Sequence, residues 1–202
     1  MEPYEIISGP LELWRAPVGT AFPLIDAAPG VGWILVGKSG KKNYSDDGVS
    51  VQHNQTNNKV RPAGSIGARK ALRQDEDQRI TVTLWDATLE QYSLALSGND
   101  PTTVAAGVGT AGYKSIGLSR GETVKEFAVL ARGKSAYDEN MNAQYEVPRC
   151  YQDASPTVLH NKGVPAGLEL AFEALEDDEA ESDDERFGRL IMQTAAPLPG
   201  GG

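Results

Sequence analysis

Apolar and polar residues alternate strictly from Ile80 to Leu84, which puts Ile80, Val82 and Leu84 on one side and Thr81, Thr83 and the following Trp85 on the other. A period of two is that of a half-buried β-strand. At Thr88 the period lengthens. Leu89, Tyr92, Leu94, Ala95 and Leu96 recur at helical spacing, and Gln91 follows Thr88 by three positions in a capping-box arrangement. Gly98 stands where a left-handed C-cap is expected. Residues 78–98 therefore predict a strand, a tight corner and an amphipathic helix of about three turns. No other stretch is convincingly helical, and the rest of the pattern is one of short strands parted by turn residues.

Taken in order, residues 11–16 and 22–26 predict short extended pieces around Pro10, Pro17 and Pro23. Residues 31–37 (VGWILVG) form a continuous apolar run bounded by glycines, which predicts a buried strand. Residues 38–48 are a polar turn or exposed loop, and residues 49–55 alternate weakly as a next strand. Residues 56–77 are long and polar, with Gly64 and Gly67 among mixed charges. They predict an irregular arm, or a hairpin extending from the domain. A loop of that length is unusual in a compact domain and tends to be functional.

Beyond the helix, residues 99–112 are small and predict a loop with one short strand. Residues 113–118 and 123–132 resemble two strands joined across 119–122, the second apolar on both faces. Residues 143–151 are a further strand in which Pro148 implies an edge or a bulge. Residues 166–175 fit strand or helix, and the strand-rich context favours strand. Residues 187–194 predict the last strand, and 195–202 a flexible C-terminal tail. The expected fold class is mainly β: two packed antiparallel β-sheets, sandwich- or barrel-like, with one flanking α-helix and a long extended loop. Residues 1–194 are expected to make one domain, with 56–77 as its extended arm and 173–185 as an acidic loop.

Charge changes this picture in one place. The net charge of −9 comes from 28 acidic and 19 basic residues, and nine of the acids lie within residues 173–185, which hold no base. Elsewhere the two signs balance. No basic stripe marks a protein that grips nucleic acid through its phosphates. No run of about 18 apolar residues predicts a membrane-spanning helix, and residues 1–10 do not read as a secretory signal. The lone Cys150 fits a reducing compartment, where it is expected to pack as a small hydrophobe.

Candidate chemistry is present only as formal matches. Residues 32–39 (GWILVGKS) fit the phosphate-loop pattern, but Trp33, Ile34, Leu35 and Val36 favour a strand, and no stable helix follows. Residues 107–112 (GVGTAG) fit the dinucleotide fingerprint without its following helix or its acidic residue about 20 positions on. Residues 117–121 (GLSRG) fit a nucleophile elbow at Ser119, with His160 downstream and Asp138 or Asp153 as orienting acids. The elbow needs a strand-to-helix turn, whereas residues 123–132 read as strand. His53 and His160 are isolated, Cys150 has no neighbour at zinc spacing, and the acidic segment lacks a calcium-loop pattern. The sequons at Asn43 and Asn54 matter only in a secreted eukaryotic protein. The expectation is a protein without catalytic, cofactor-binding or metal-binding residues: not an enzyme.

The order of an apolar Gly-Trp strand (31–37), a strand at 49–55, the arm, the segment ITVTLWDATLEQYSLALSG and later strands resembles the major tail tube proteins of long-tailed (siphovirus-type) bacteriophages. A strand leading into Thr88-Leu89, then Ala95-Leu96 and Gly98, carries the likeness, which extends over residues 31–194. The resemblance implies two packed β-sheets with a flanking helix, and six subunits per ring with the inner sheets joined into one barrel. Rings stack head to tail into a hollow tube through which DNA is ejected without specific binding, and an extended loop reaches a neighbouring ring or subunit. It implies as partners further copies of the chain, the tape measure, the terminator and the tail tip, and as location the virion tail, assembled in the host bacterial cytoplasm. The alternatives are another tube or ring protein (a tail terminator, a head–tail connector or a secretion-system tube subunit) and a β-sandwich binding module. Only 7% aromatic residues argues against the binding module. If the acidic loops repel across a ring junction, added salt is expected to strengthen stacking.

Overall fold

In the computed structural model, which describes residues 6–96, 98–158 and 160–198, the alternating stretch is the inner end of a long strand. Ile80, Val82 and Leu84 are buried, Thr81 and Thr83 half-buried, and Trp85 exposed. The strands in chain order are β1 (Ile7–Ala16), β2 (Ile34–Leu35), β3 (Tyr44–Val60), β4 (Lys70–Leu84), β5 (Thr102–Val104), β6 (Tyr113–Ser115), β7 (Glu126–Ser135), β8 (Asn142–Gln152), β9 (Leu168–Ala174) and β10 (Arg189–Met192). Between β4 and β5 lies the helix α1 (Leu89–Ala95). The protein is mainly β, with a large antiparallel sheet, a small second sheet of β5 and β6, and one helix.

The large sheet runs β2-β1-β7-β8-β9-β4-β3 and bends at β8. Along one side β8 pairs with β7 throughout. On its other side Ala143–Glu146 pair with β10, whereas Cys150–Gln152 pair with β9. Divergence of β9 and β10 from one strand turns the sheet into two layers. Leu13, Val129, Ala131, Val147 and Cys150 from one layer meet Ile80, Val82, Leu84, Leu168, Leu170 and Phe172 from the other in a single core. At the open seam, β1 lies against β3 without a ladder. Tyr44 of β3 bridges it: its hydroxyl accepts from Leu13 N (3.1 Å) and donates to Val36 O (2.9 Å).

Helix α1 begins as its cap predicts, with Thr88 Oγ1 accepting from Gln91 N at 3.4 Å. It is shorter than the expected three turns. Leu96 N and Gly98 N both fold back onto Ser93 O, and Gly98 takes φ +82°, which closes the helix after Ala95. The Gln91 side chain does not complete a capping box; its Oε1 accepts from Gly37 N (2.9 Å). Asp86 supports the corner before the helix, its carbonyl accepting from Thr88 N (2.8 Å), while its Oδ2 accepts from Lys38 N (2.6 Å), so the corner also holds the 37–40 turn from across the fold.

Several expected strands differ. Residues 22–26 form no strand, because their carbonyls are taken by side chains. Pro23 O accepts from Gln144, Leu24 O and Ala27 O from Arg132, and Ile25 O from Asn142. This loop covers the outer face of β7 and β8. Ala16, Trp33, Ala128 and Leu130 form a second apolar cluster there, with Trp14 and Phe22 packed on it. Residues 31–37 are not one buried strand. Only Ile34–Leu35 pair, Val31 and Ile34 are exposed, and Gly32 (φ +96°) turns the chain. Residues 113–118 and 123–132 are not hairpin partners: β6 pairs with β5, and β7 with β1 and β8. Pro148 marks a bulge in a central strand and not an edge, since Phe127↔Cys150 is followed by Val129↔Val147. Residues 166–175 contain strand β9, and the 187–194 expectation contains β10. Of the expected tail 195–202, residues 199–202 lie outside the described residues.

Candidate assembly surface

The arm of residues 56–77 is the outer part of a hairpin, not an irregular loop. Strands β3 and β4 stay in register from Val49↔Val82 to Val60↔Lys70, with one bulge opposite Thr56 and Asn57. The third strand stops early: β9 pairs with β4 only from Arg79 to Leu84. Outward of Arg79 the arm is a two-stranded ribbon, and residues 52–77 are exposed throughout except for half-buried Ser65. Such a ribbon has marginal stability in water on its own. Val60 and Leu72 are also partly exposed on it, and Ile66 completely so.

Charge is sorted along this arm. Between Val49 and Gln74 there is no acidic residue, while Lys59, Arg61, Arg69, Lys70 and Arg73 are basic. Arg73 is paired with Glu76 at 2.7 Å. Among the described residues the other four cations have no ion pair. The sequence carried this signal as a gap in the acidic residues of a net-negative chain, and it was masked by the charged stem at Asp75, Glu76 and Asp77.

The acidic segment 173–185 runs from beside β8 to the inner half of the arm. Glu176, Asp183 and Asp184 share a surface hollow with Arg73 and Glu76 of β4 and with Arg186 and Phe187. The segment is folded as well as solvated. Arg186, just beyond it, donates to Glu176 Oε1 (2.5 Å) and Asp183 Oδ1 (2.8 Å), and its carbonyl accepts from Asp177 N (2.9 Å). Arg189 reaches the buried Glu146 (2.8 Å) and approaches Glu185 (3.9 Å). Gly188, at φ +111°, lets the chain pass so close to the Glu146 carbonyl that a Cβ could not be accommodated. Asp178, Glu179, Glu181 and Asp184 are exposed and, among the described residues, have no ion pair. At the inner end of the segment, burial raises the Glu173 carboxyl above its ordinary range, partly opposed by Arg79.

The formal motifs do not assemble into chemistry. In the phosphate-loop match, three successive backbone donors are already taken: Gly37 N by Gln91 Oε1, Lys38 N by Asp86 Oδ2 and Ser39 N by Asn43 Oδ1 (2.6 Å). A short 3₁₀ turn (Gly40–Asn43) follows instead of a helix. Residues 107–112 form a turn closed by a Gly107–Thr110 bridge and are followed by β6. Ser119 is exposed and its Oγ accepts from Gly121 N; no hydrogen bond joins it to His160, Asp138 or Asp153 among the described residues. His53 is exposed on β3 and His160 in the β8–β9 connection. Cys150 is fully buried, its thiol donating to Phe127 O (3.1 Å), and burial pushes its pKa up. Among the described residues no three His, Cys, Asp or Glu side chains converge on a metal position, and no helix is long and apolar enough to cross a membrane. The chain matches no protein-family model and no curated protein sequence at a significant level.

Proposed function

We propose that the chain is the structural subunit of a phage tail tube, six copies to a ring, with rings stacked into a hollow conduit for DNA ejection. The observation that carries this is the arm: an ordered, exposed two-stranded ribbon that finds no cover in its own chain. A surface of that kind calls for a neighbour. Further support comes from the sheet itself, which is bent into two layers and ends in the edge strands β2 and β3, open for pairing between copies. An asymmetric contact between an arm and a different surface of the next copy repeats from copy to copy, giving a ring where the rotation closes and an open filament where it does not. A net-negative subunit also suits a conduit that DNA slides through, since a basic wall would retain the phosphates. In this role the partners are further copies, the tape measure, terminator and tail tip, and the place of assembly is the bacterial cytoplasm.

Electron microscopy of the purified protein over rising concentration tests the proposal. Stacked rings or hollow tubes are the expected result. A protein that stays strictly monomeric at high concentration would overturn it.

A further inference from the structure

We infer that the acidic segment 173–185 is the receptor for the basic arm tip of a second copy of this chain. The inference rests on the self-assembly reading and adds to it the two surfaces that meet. Four cations without ion pairs, Lys59, Arg61, Arg69 and Lys70, cluster at the end of the ribbon. Four exposed carboxylates without ion pairs, Asp178, Glu179, Glu181 and Asp184, lie on the segment: Asp184 beside the inner half of the arm, Glu179 and Glu181 beside β8 and Phe22. The two sets are complementary in sign and equal in number.

Among the described residues no ion pair joins the two sets within one chain. Arg73 is the outermost arm cation beside the acidic segment, sharing its hollow with Glu176, Asp183 and Asp184. Lys70 is three residues further out on β4, or about 10 Å along the strand, and Arg69 and Arg61 lie beyond it. In the inferred contact a second copy sets its acidic segment over the first copy's tip. The same contact covers Ile66, which is fully exposed, and the exposed part of Val60.

The occupant follows from charge and repetition. The tip carries cations and apolar side chains with no acid within residues 49–74, so its partner is an acidic protein surface. This chain supplies one on every copy. Donor and receptor surfaces differ, so the contact is heterologous and repeats. The salt response then has a definite sign. Acidic segments that repel across a junction give assembly that strengthens with salt. Docking of a basic tip gives assembly that weakens with salt.

Charge exchange in the full-length protein tests the pairing, read by sedimentation and electron microscopy. One variant carries Lys59→Glu, Arg61→Glu, Arg69→Glu and Lys70→Glu; a second carries Asp178→Lys, Glu179→Lys, Glu181→Lys and Asp184→Lys. All eight positions are exposed, and unchanged melting curves establish that each variant folds. Each variant alone is expected to raise the concentration needed for assembly at least about tenfold, the combined effect of several lost exposed pairs and new repulsions. The chain carrying both sets is expected to recover assembly, because its acidic tip now meets a basic receptor. Wild-type assembly is expected to weaken as sodium chloride rises from about 0.05 to 0.5 M. Single-set variants that assemble like wild type would overturn the pairing and leave the tube reading standing. So would failure of the eightfold variant to recover, or assembly that strengthens with salt. Absence of assembly by the wild-type protein would overturn both.

Discussion

Replacing Tyr44 with phenylalanine removes one oxygen atom from the seam where β1 lies against β3. That oxygen accepts from Leu13 N and donates to Val36 O, both in the buried core. Phenylalanine keeps the ring and its packing, so the loss isolates the two hydrogen bonds. A buried backbone donor or acceptor left without a partner costs about 1–3 kcal/mol. A carbonyl, with two lone pairs, falls at the lower end of that range. Tyr44→Phe is therefore expected to destabilise by about 2–4 kcal/mol, a large part of the ~5–15 kcal/mol of a typical domain. Urea unfolding followed by tryptophan fluorescence reads this as a fall in midpoint of about 1–2 M with an unchanged slope. Tyr113→Phe, at an exposed position, is the control and is expected to change nothing measurable. pH supplies a second signature. Burial raises the Tyr44 pKa, helped by Glu12 and Asp86 and opposed by the Leu13 hydrogen bond. The unfolded phenol ionises near 10 (about the free value) while the folded one stays protonated, so wild-type stability falls above that pH. The gap between wild type and Tyr44→Phe then narrows. A loss below about 0.5 kcal/mol at neutral pH would refute the claim that this hydroxyl stitches the seam.

Three further outcomes are expected. Cys150 is buried with its pKa pushed up, so a thiol reagent such as dithionitrobenzoate should leave the folded protein unlabelled and modify one thiol per chain in denaturant. Burial raises the Glu173 pKa, so below the unfolded value both states hold the proton and no penalty exists; the penalty grows as pH rises through the unfolded and then the folded value. Glu173→Gln should therefore gain stability relative to wild type between about pH 4 and neutral, as thermal melts across pH would show. Replacing residues 56–77 with Asn-Gly should leave a folded protein with little change in melting temperature, since every position removed is exposed or half-buried, and should abolish assembly. Unfolding of that variant would mean that the arm belongs to the core.

The alternation at Ile80–Leu84, the Thr88 cap and the Gly98 stop were legible because each rests on contacts within a few residues. So were the mainly β class and the 168–174 strand. The 22–26 and 31–37 expectations failed for the opposite reason. Whether Pro23, Leu24 and Ile25 carbonyls join a ladder depends on Arg132, Asn142 and Gln144, more than a hundred residues away in sequence. Apolar character alone also could not tell that Ile34 faces solvent while Trp33 and Val36 are buried.

For the candidate surface the division is similar. Local sequence determined that residues 56–77 are polar and long, that residues 173–185 are acidic, and that no acid interrupts residues 49–74. Only the tertiary structure decided that the arm is a registered ribbon left without a third strand beyond Arg79, and that Glu176, Asp183 and Asp184 lie beside Arg73 and Glu76 on its inner half. Strand pairing and surface charge placement are sums over residues far apart in the chain. A periodic pattern records which face of an element is apolar, but not which other element covers it.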